Sequence, residues 1–220
     1  GPRYTSSKLF KVPSIAKKTV SIGTGKEKSF PIRYACEFVQ SFKSLRDKAI
    51  YALMFGGGLR QHEVFQLKVS DIDFSNEVVT LSSPEAMEYM IASNGLRSKG
   101  VEHPVVTLIE PFKSFFFDSA SAYWKEERQR SSSDYFFLKS PRFGDEPYYK
   151  TTSQSVVELF RDNLKRCGLE HLKHLTPHSA RHFYGYYMRN FYPVTDNHGK
   201  LIKYGYSLDN VRIFMRHKLA

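Results

Sequence analysis

The sequence predicts a mostly α-helical domain with a small antiparallel β-sheet, an α+β arrangement, and three observations lead there. Apolar residues recur at helical spacing in several well-punctuated segments, above all "SLRDKAIYALMF" (44–55), "EPFKSFFFDSASAYWKEERQR" (110–130) and "TSQSVVELFRDNLKRCG" (152–168). Strand-like runs are short and bounded by turn residues, as in "SNEVVTLSS" (75–83) and "LRSKGVEHPVVTLI" (96–109). The 220 residues, 41% of them hydrophobic, suffice for one sizeable core, and no internal repeat divides them.

Taken in order, Gly1-Pro2 reads as the remnant of a removed tag, and residues 1–30 form a basic arm or linker of Lys, Ser, Thr and Gly with weak periodicity. The core begins near Pro31. In the helix from 44, Ser44 is placed to cap, Asp47 follows three positions on, and Ala49, Ile50, Leu53 and Met54 share a face. Gly56-Gly57-Gly58 ends that helix, and "LRQHEVFQL" starts another at once. The strand of "SNEVVTLSS" follows an Asn-containing turn. "SPEAMEYMIASNG" reads as an inserted helix with Ser83 as cap, Pro84 in the first position and Asn94-Gly95 closing it. Beyond it a hairpin carries Ser98, Lys99 and Gly100 at its tip. A long aromatic-faced helix and a polar loop precede the helix of 152–168, for which Ser153 is the expected cap and Gly168 the stop. In "LTPHSARHFYG" (175–185) Thr176 caps and Pro177 occupies a first position where no hydrogen bond is lost, so His178 and Arg181 share one face of a first helical turn.

Composition narrows the partner. Thirty-three Lys+Arg against 22 Asp+Glu give a net charge of +11, which favours a polyanion, nucleic acid foremost. No apolar run approaches a membrane span and no signal peptide is visible, so an intracellular protein is expected. Cys36 and Cys167 have neither metal-binding nor disulfide-scaffold spacing and read as reduced, buried or half-buried thiols.

A helix N-terminus that also carries a guanidinium and an imidazole suits a phosphodiester oxygen. The alternative is a metal site built from His171, His174, His178 and His182, but Thr176-Pro177 interrupts their helix and no carboxylate joins them, so no metal is expected. Taken singly, Arg60 and Glu63 read equally well as a surface pair, Lys99 as a solvated hairpin lysine, His217 as a helix C-terminal residue complementing the dipole, and the aromatic clusters as core.

Three segments together resemble the tyrosine recombinases of the phage-integrase family. "FGGGLRQHEVFQLKVSDIDF" (55–74) resembles the segment around the first catalytic arginine, with Arg60 in that place and Glu63 as the acidic residue three positions later. "TPHSARHFYG" is similar to the His-x-x-Arg box followed by a further His, giving His178, Arg181 and His182. "VRIFMRHKLA" looks like the last box, written LGHxS in many members, and supplies His217. The family also places a lysine on a hairpin between the two arginines, which Lys99 fits better than Lys68. The resemblance covers most of residues 31–220 and implies a catalytic domain that cleaves and rejoins duplex DNA through a 3′-phosphotyrosine, without metal or cofactor.

It implies roles as well. Arg60 and Arg181 would grip the non-bridging oxygens, Lys99 protonate the leaving 5′ oxygen, His178 take the tyrosine's proton and His217 hydrogen-bond the phosphate. Glu63 and His182 would support them from behind. It further implies self-association on DNA as a synaptic multimer, and a cytoplasmic, nucleoid-associated location. The family's tyrosine is expected beyond Ala220, since Tyr204 and Tyr206 precede His217, and "NFYPVTDNHGKLIKYG" (190–205) is an insertion that reads as a polar hairpin or loop. The alternatives are a type IB topoisomerase-like enzyme, which shares the same active-site logic, and a DNA-binding module with a vestigial pocket.

Overall fold

The computed structural model describes residues 28–81, 104–128, 131–139 and 144–216; the basic arm through residue 27, the predicted inserted helix, Lys99 and His217 lie outside the described residues. The architecture is mostly helical with two small antiparallel sheets. Helices α1 (Ile32–Gln40), α2 (Leu45–Gly57) and α3 (Gln61–Phe65) are followed by strands β1 (Ile72–Asp73) and β2 (Val78–Val79). Then come α4 (Phe112–Ala122), α5 (Ser153–Arg166), α6 (His178–Asn190), the hairpin β3 (Pro193–Thr195) and β4 (Leu201–Tyr204), and α7 (Leu208–Phe214). Among the described residues no helix is long and apolar enough to cross a membrane.

The core forms around α2, which is buried from Ala49 to Gly57 on every side. Such a helix shows little amphipathic contrast, because α4 and α6 cover the faces that a surface helix would give to water. Phe55 anchors it: its ring lies 5.5 Å from Phe112 of α4 and 5.1 Å from Phe183 of α6. Close approach of α4 depends on Gly56, where a Cβ would stand 2.6 Å from Phe112 Cβ. At the other end Ser44 Oγ accepts the Asp47 N–H, and the Glu127 carboxylate accepts the backbone N–H groups of Leu45 and Arg46, placing an anion on the helix N-terminus.

Several sequence expectations need correction. Helix α1 was not predicted: Pro31 gives it no side-chain cap, and its signal is only the face formed by Ala35, Cys36, Phe38 and Val39. The aromatic helix from 112 stays α-helical only to Ala122 and continues as a π-helical turn over Tyr123–Glu127. The cap of α5 is Thr152 rather than Ser153, since the Thr152 hydroxyl accepts the Ser155 N–H. At α6 the expected Thr176 side-chain cap is reversed: Ser179 Oγ accepts from the Thr176 backbone N–H, while Thr176 contributes its carbonyl to Ser179. Pro177 already has helical backbone angles, as a first-turn proline should.

The small sheet follows the expected turn. Ile72 faces Val79, and the Asp73 carboxylate accepts the Ser75 and Asn76 N–H groups between them. Beyond β2 the chain pairs with residues 104–106, through Leu81 N–H to the Pro104 carbonyl and Val106 N–H to the Val79 carbonyl. The insertion at 190–205 is a hairpin, as read, with all of β4 exposed. Both cysteines are free; Cys36 is buried, which pushes its thiol up to about 12, and Cys167 is half-buried.

Candidate active site

The site is built where three helix ends meet. Helix α2 stops at Gly58, whose φ of 59° is left-handed, so the chain turns sharply and Arg60 becomes the residue before α3. Glu63, one turn into α3, reaches back. Its Oε2 accepts the Arg60 backbone N–H at 2.6 Å and its Oε1 accepts Arg60 Nη1 at 2.6 Å. The carboxylate is 9% exposed and the Arg60 side chain 18%, so this is a mostly buried pair rather than the surface pair the spacing alone allows.

Arg181, in the first turn of α6, is 2% exposed. It donates Nη1 to the Gly58 carbonyl and Nη2 to the Met215 carbonyl, and Nη1 stands 3.8 Å from Glu63 Oε2. A third guanidinium, which the sequence reading missed, completes the cluster. Arg216 is 5% exposed and follows α7; it donates Nη2 to the Gly57 carbonyl at 3.2 Å and Nη1 to the Phe214 carbonyl at 3.0 Å. Its Nη2 also lies 3.8 Å from Glu63 Oε2. The four carbonyls are those of the last residue and the C-cap of α2 and of the last residue and the C-cap of α7, groups that a helix end leaves without intrahelical partners. The signal available in the sequence was an arginine where the last box of the resembled family has glycine.

Three cations around one carboxylate perturb each other in the expected directions. Burial pushes the Glu63 carboxyl up, but Arg216 foremost, then the Arg60 N–H, Arg60 and Arg181, hold it below the usual carboxylate range. Burial, with Arg60 next, brings Arg181 down to about 9, so it stays charged at neutral pH; Glu63 opposes that shift. Burial also lowers Arg216.

On the same helix, the rings of His178 and His182 meet edge to face at 4.7 Å. Partial loss of hydration, then His182, Arg181 and Arg60, keep His178 below the ordinary imidazole value, which favours the neutral form that can accept a proton. His182 is lowered by burial, Lys28 and Arg181. The structure thus brings Arg60, Glu63 and Arg181 into contact and sets His178 and His182 beside them; Lys99 and His217 fall outside the described residues. The Tyr206 backbone N–H donates to the Met188 carbonyl, seven residues along α6 from Arg181, and its ring packs on Phe214 at 4.8 Å. Among the described residues no group of three or more His, Cys, Asp or Glu converges to hold a metal ion.

Residues 32–191 match the phage integrase family. The chain is similar to tyrosine recombinase XerA of Thermococcus onnurineus, 27% identical over 143 residues that span 65% of this chain and 41% of that protein. It is similar to transposase A from transposon Tn554 of Staphylococcus aureus, 31% identical over 145 residues covering 65% and 37%. Over a longer stretch it resembles a XerC-like tyrosine recombinase of Caldanaerobacter subterraneus, 28% identical across 80% of this chain and 48% of that protein. The chain therefore spans less than half the length of these curated relatives. Among solved structures, XerA recombinase superposes with a TM-score of 0.57 at 17% identity, covering 91% of this chain and 63% of the other. The Tn1549 transposon integrase, solved with circular intermediate DNA, superposes with 0.56 at 18% identity, covering 89% and 59%, and both show a shared fold. With the family match spanning most of the chain, this protein belongs to the phage integrase family of tyrosine recombinases.

Proposed function

We propose that this chain is the catalytic domain of a site-specific recombinase or integrase of a mobile element, acting on double-stranded DNA at the nucleoid without a metal or cofactor. The observation that carries this reading is the cluster of Arg60, Arg181 and Arg216 around the single carboxylate of Glu63, a mostly buried excess of positive charge suited to a phosphodiester. The solved Tn1549 integrase is described as a complex with DNA, and the curated relatives are named recombinases and a transposase.

In the proposed reaction the hydroxyl of a tyrosine expected beyond the last box attacks the scissile phosphorus. The P–O bond to tyrosine forms, the bond to the 5′ oxygen breaks, and a 3′-phosphotyrosine results. His178 takes the tyrosine's proton and Lys99 supplies one to the leaving 5′ oxygen. Arg60 and Arg181 stabilise the charge on the non-bridging oxygens, His217 hydrogen-bonds the phosphate, and Glu63 and His182 position these groups. Two protomers or more on paired sites would then exchange strands.

The test is a suicide substrate nicked near the target site, incubated with the full natural protein and resolved on a denaturing gel. A covalent band that disappears on replacing the tyrosine after the last box by Phe supports the reading. A band abolished instead by Tyr204→Phe or Tyr206→Phe overturns the placement of the nucleophile. Specific binding with no adduct indicates a DNA-binding module, and relaxation of supercoiled plasmid without a paired site indicates a topoisomerase.

A further inference from the structure

Arg216 has φ of 54°, a left-handed conformation that is uncommon for a residue with a long side chain. Glycine would fill that backbone without strain, and glycine is what the resembled last box carries there. The strained residue is also an arginine placed almost out of reach of water, with Nε buried and unpartnered. A surface arginine tolerated by accident would be solvated instead. Backbone strain combined with a buried charge is a pattern of functional sites.

We propose that Arg216 is a positioning residue of the phosphate site: its buried guanidinium faces the same Glu63 oxygen as Arg181 and adds a third positive charge behind the groups that hold an anion. This rests on the recombinase reading above. Glu63 divides its contacts unequally among the three arginines. Its short contacts both go to Arg60, and it stands 3.8 Å from Arg181 and from Arg216. Arg216 lies 3.8 Å from the same carboxylate oxygen as Arg181, and its positive charge offsets the negative potential of Glu63, so the net potential at Arg181 stays positive for a phosphate. Arg216 touches the phosphate only through this arrangement, since its Nη atoms are engaged by the Gly57 and Phe214 carbonyls.

Titration calorimetry of the 220-residue chain with inorganic phosphate at pH 7 tests this, using Arg216→Gln, Arg216→Lys and Arg216→Gly, with Arg181→Gln as control and a thermal melt of each variant. Removing one mostly buried unit charge a few ångströms away should weaken phosphate binding about tenfold or more in the Gln and Gly variants, whereas Lys should stay within about threefold of wild type. The Gly variant suits the left-handed backbone and keeps the test valid if Arg216→Gln fails to fold. If Arg181→Gln loses binding while the Arg216 Gln and Gly variants keep it, the recombinase site stands and the proposal falls. Lys binding as weakly as Gln would also overturn it, by showing that Arg216 acts only through its carbonyl bonds. If wild type binds no phosphate, or Arg181→Gln binds as wild type does, the underlying reading falls.

Discussion

Replacing Glu63 by Gln removes one negative charge from among three guanidinium groups while nearly conserving side-chain shape. An amide oxygen can still accept the Arg60 N–H, now 2.6 Å from Oε2. What is lost is the charge in the 2.6 Å contact with Arg60 Nη1 and the attraction of Arg181 and Arg216 at 3.8 Å. Unit charges 4 Å apart attract by about 4 kcal/mol at an effective dielectric constant of about 20, and removing one partner of a buried pair costs roughly 3–5 kcal/mol. The retained acceptor and the 18% exposure of the Arg60 side chain put the expected loss at the lower end, about 3 kcal/mol. Urea denaturation followed by the fluorescence of Trp124, the single tryptophan, which stacks on Phe136 at 5.9 Å, measures it. Because the folded protein holds the Glu63 carboxyl below its unfolded value, its contribution is present above that unfolded value of about 4.3 and is lost as pH falls through the lower folded one. The gap between wild type and variant should therefore be constant near neutrality and close in acid. A loss under about 1 kcal/mol, or a gap unchanged down to about pH 3, would refute the account of Glu63 as the shared counter-charge.

Four further outcomes are expected. Gly58→Ala should cost about 2–4 kcal/mol, because a Cβ at this left-handed position would lie 2.4 Å from Tyr184 Cδ1; a urea midpoint near wild type would contradict that packing. Arg181→Lys in the full-length protein should lower single-turnover cleavage about 100-fold or more and DNA affinity only slightly, since lysine keeps the charge and loses the planar fork. Equal losses would make Arg181 a binding residue alone. Affinity for duplex DNA, measured by anisotropy, should fall steeply with salt as a chain of net charge +11 releases counterions, and a flat response would exclude the backbone as the main contact. Cleavage should persist in EDTA, and its loss with recovery on adding zinc or magnesium would return the histidine cluster to consideration.

The sequence made legible whatever depends on chain-local rules. The stop of α2 in the triple glycine, the capping of α2 by Ser44 and the hairpin at 190–205 follow from turn and cap chemistry acting over a few residues, and the structure has them. Arg60, Glu63 and Arg181 were legible through the resemblance of their segments to the boxes of the tyrosine recombinases, since spacing alone left Arg60 and Glu63 as a surface pair; the structure sets them at helix starts. Helix α1 was not, because its stability comes from Phe38 packing on Phe30, Phe55 and Phe160, long-range contacts that no cap announces. The π-helical turn was hidden for a similar reason. Glu127 leaves the α-helical register to accept the N–H groups of Leu45 and Arg46, a demand set by a helix some 80 residues earlier. Arg216 escaped notice because its importance lies in partners distant in sequence, the Gly57 carbonyl and Glu63.

How three arginines remain mostly buried beside one carboxylate follows from the helix ends. A helix C-terminus carries about half a negative charge, concentrated on its unpaired carbonyls, and less for a helix as short as α7. Arg181 takes the Gly58 and Met215 carbonyls, and Arg216 takes the adjacent Gly57 and Phe214 carbonyls, so both guanidinium groups bridge the ends of α2 and α7. Against three positive charges stand Glu63 and these two partial charges, about two negative units at most, leaving roughly one positive charge uncompensated. That remainder, one positive charge or more, favours an anion such as a phosphodiester. The turn after α2 is glycine at residue 58 for a steric reason, since its φ is left-handed and a Cβ would lie 2.4 Å from Tyr184 Cδ1, and it is the carbonyl of this same residue that Arg181 binds. The glycine turn and the arginine pocket are in this sense one structure, and damage to the turn should lower anion binding together with stability.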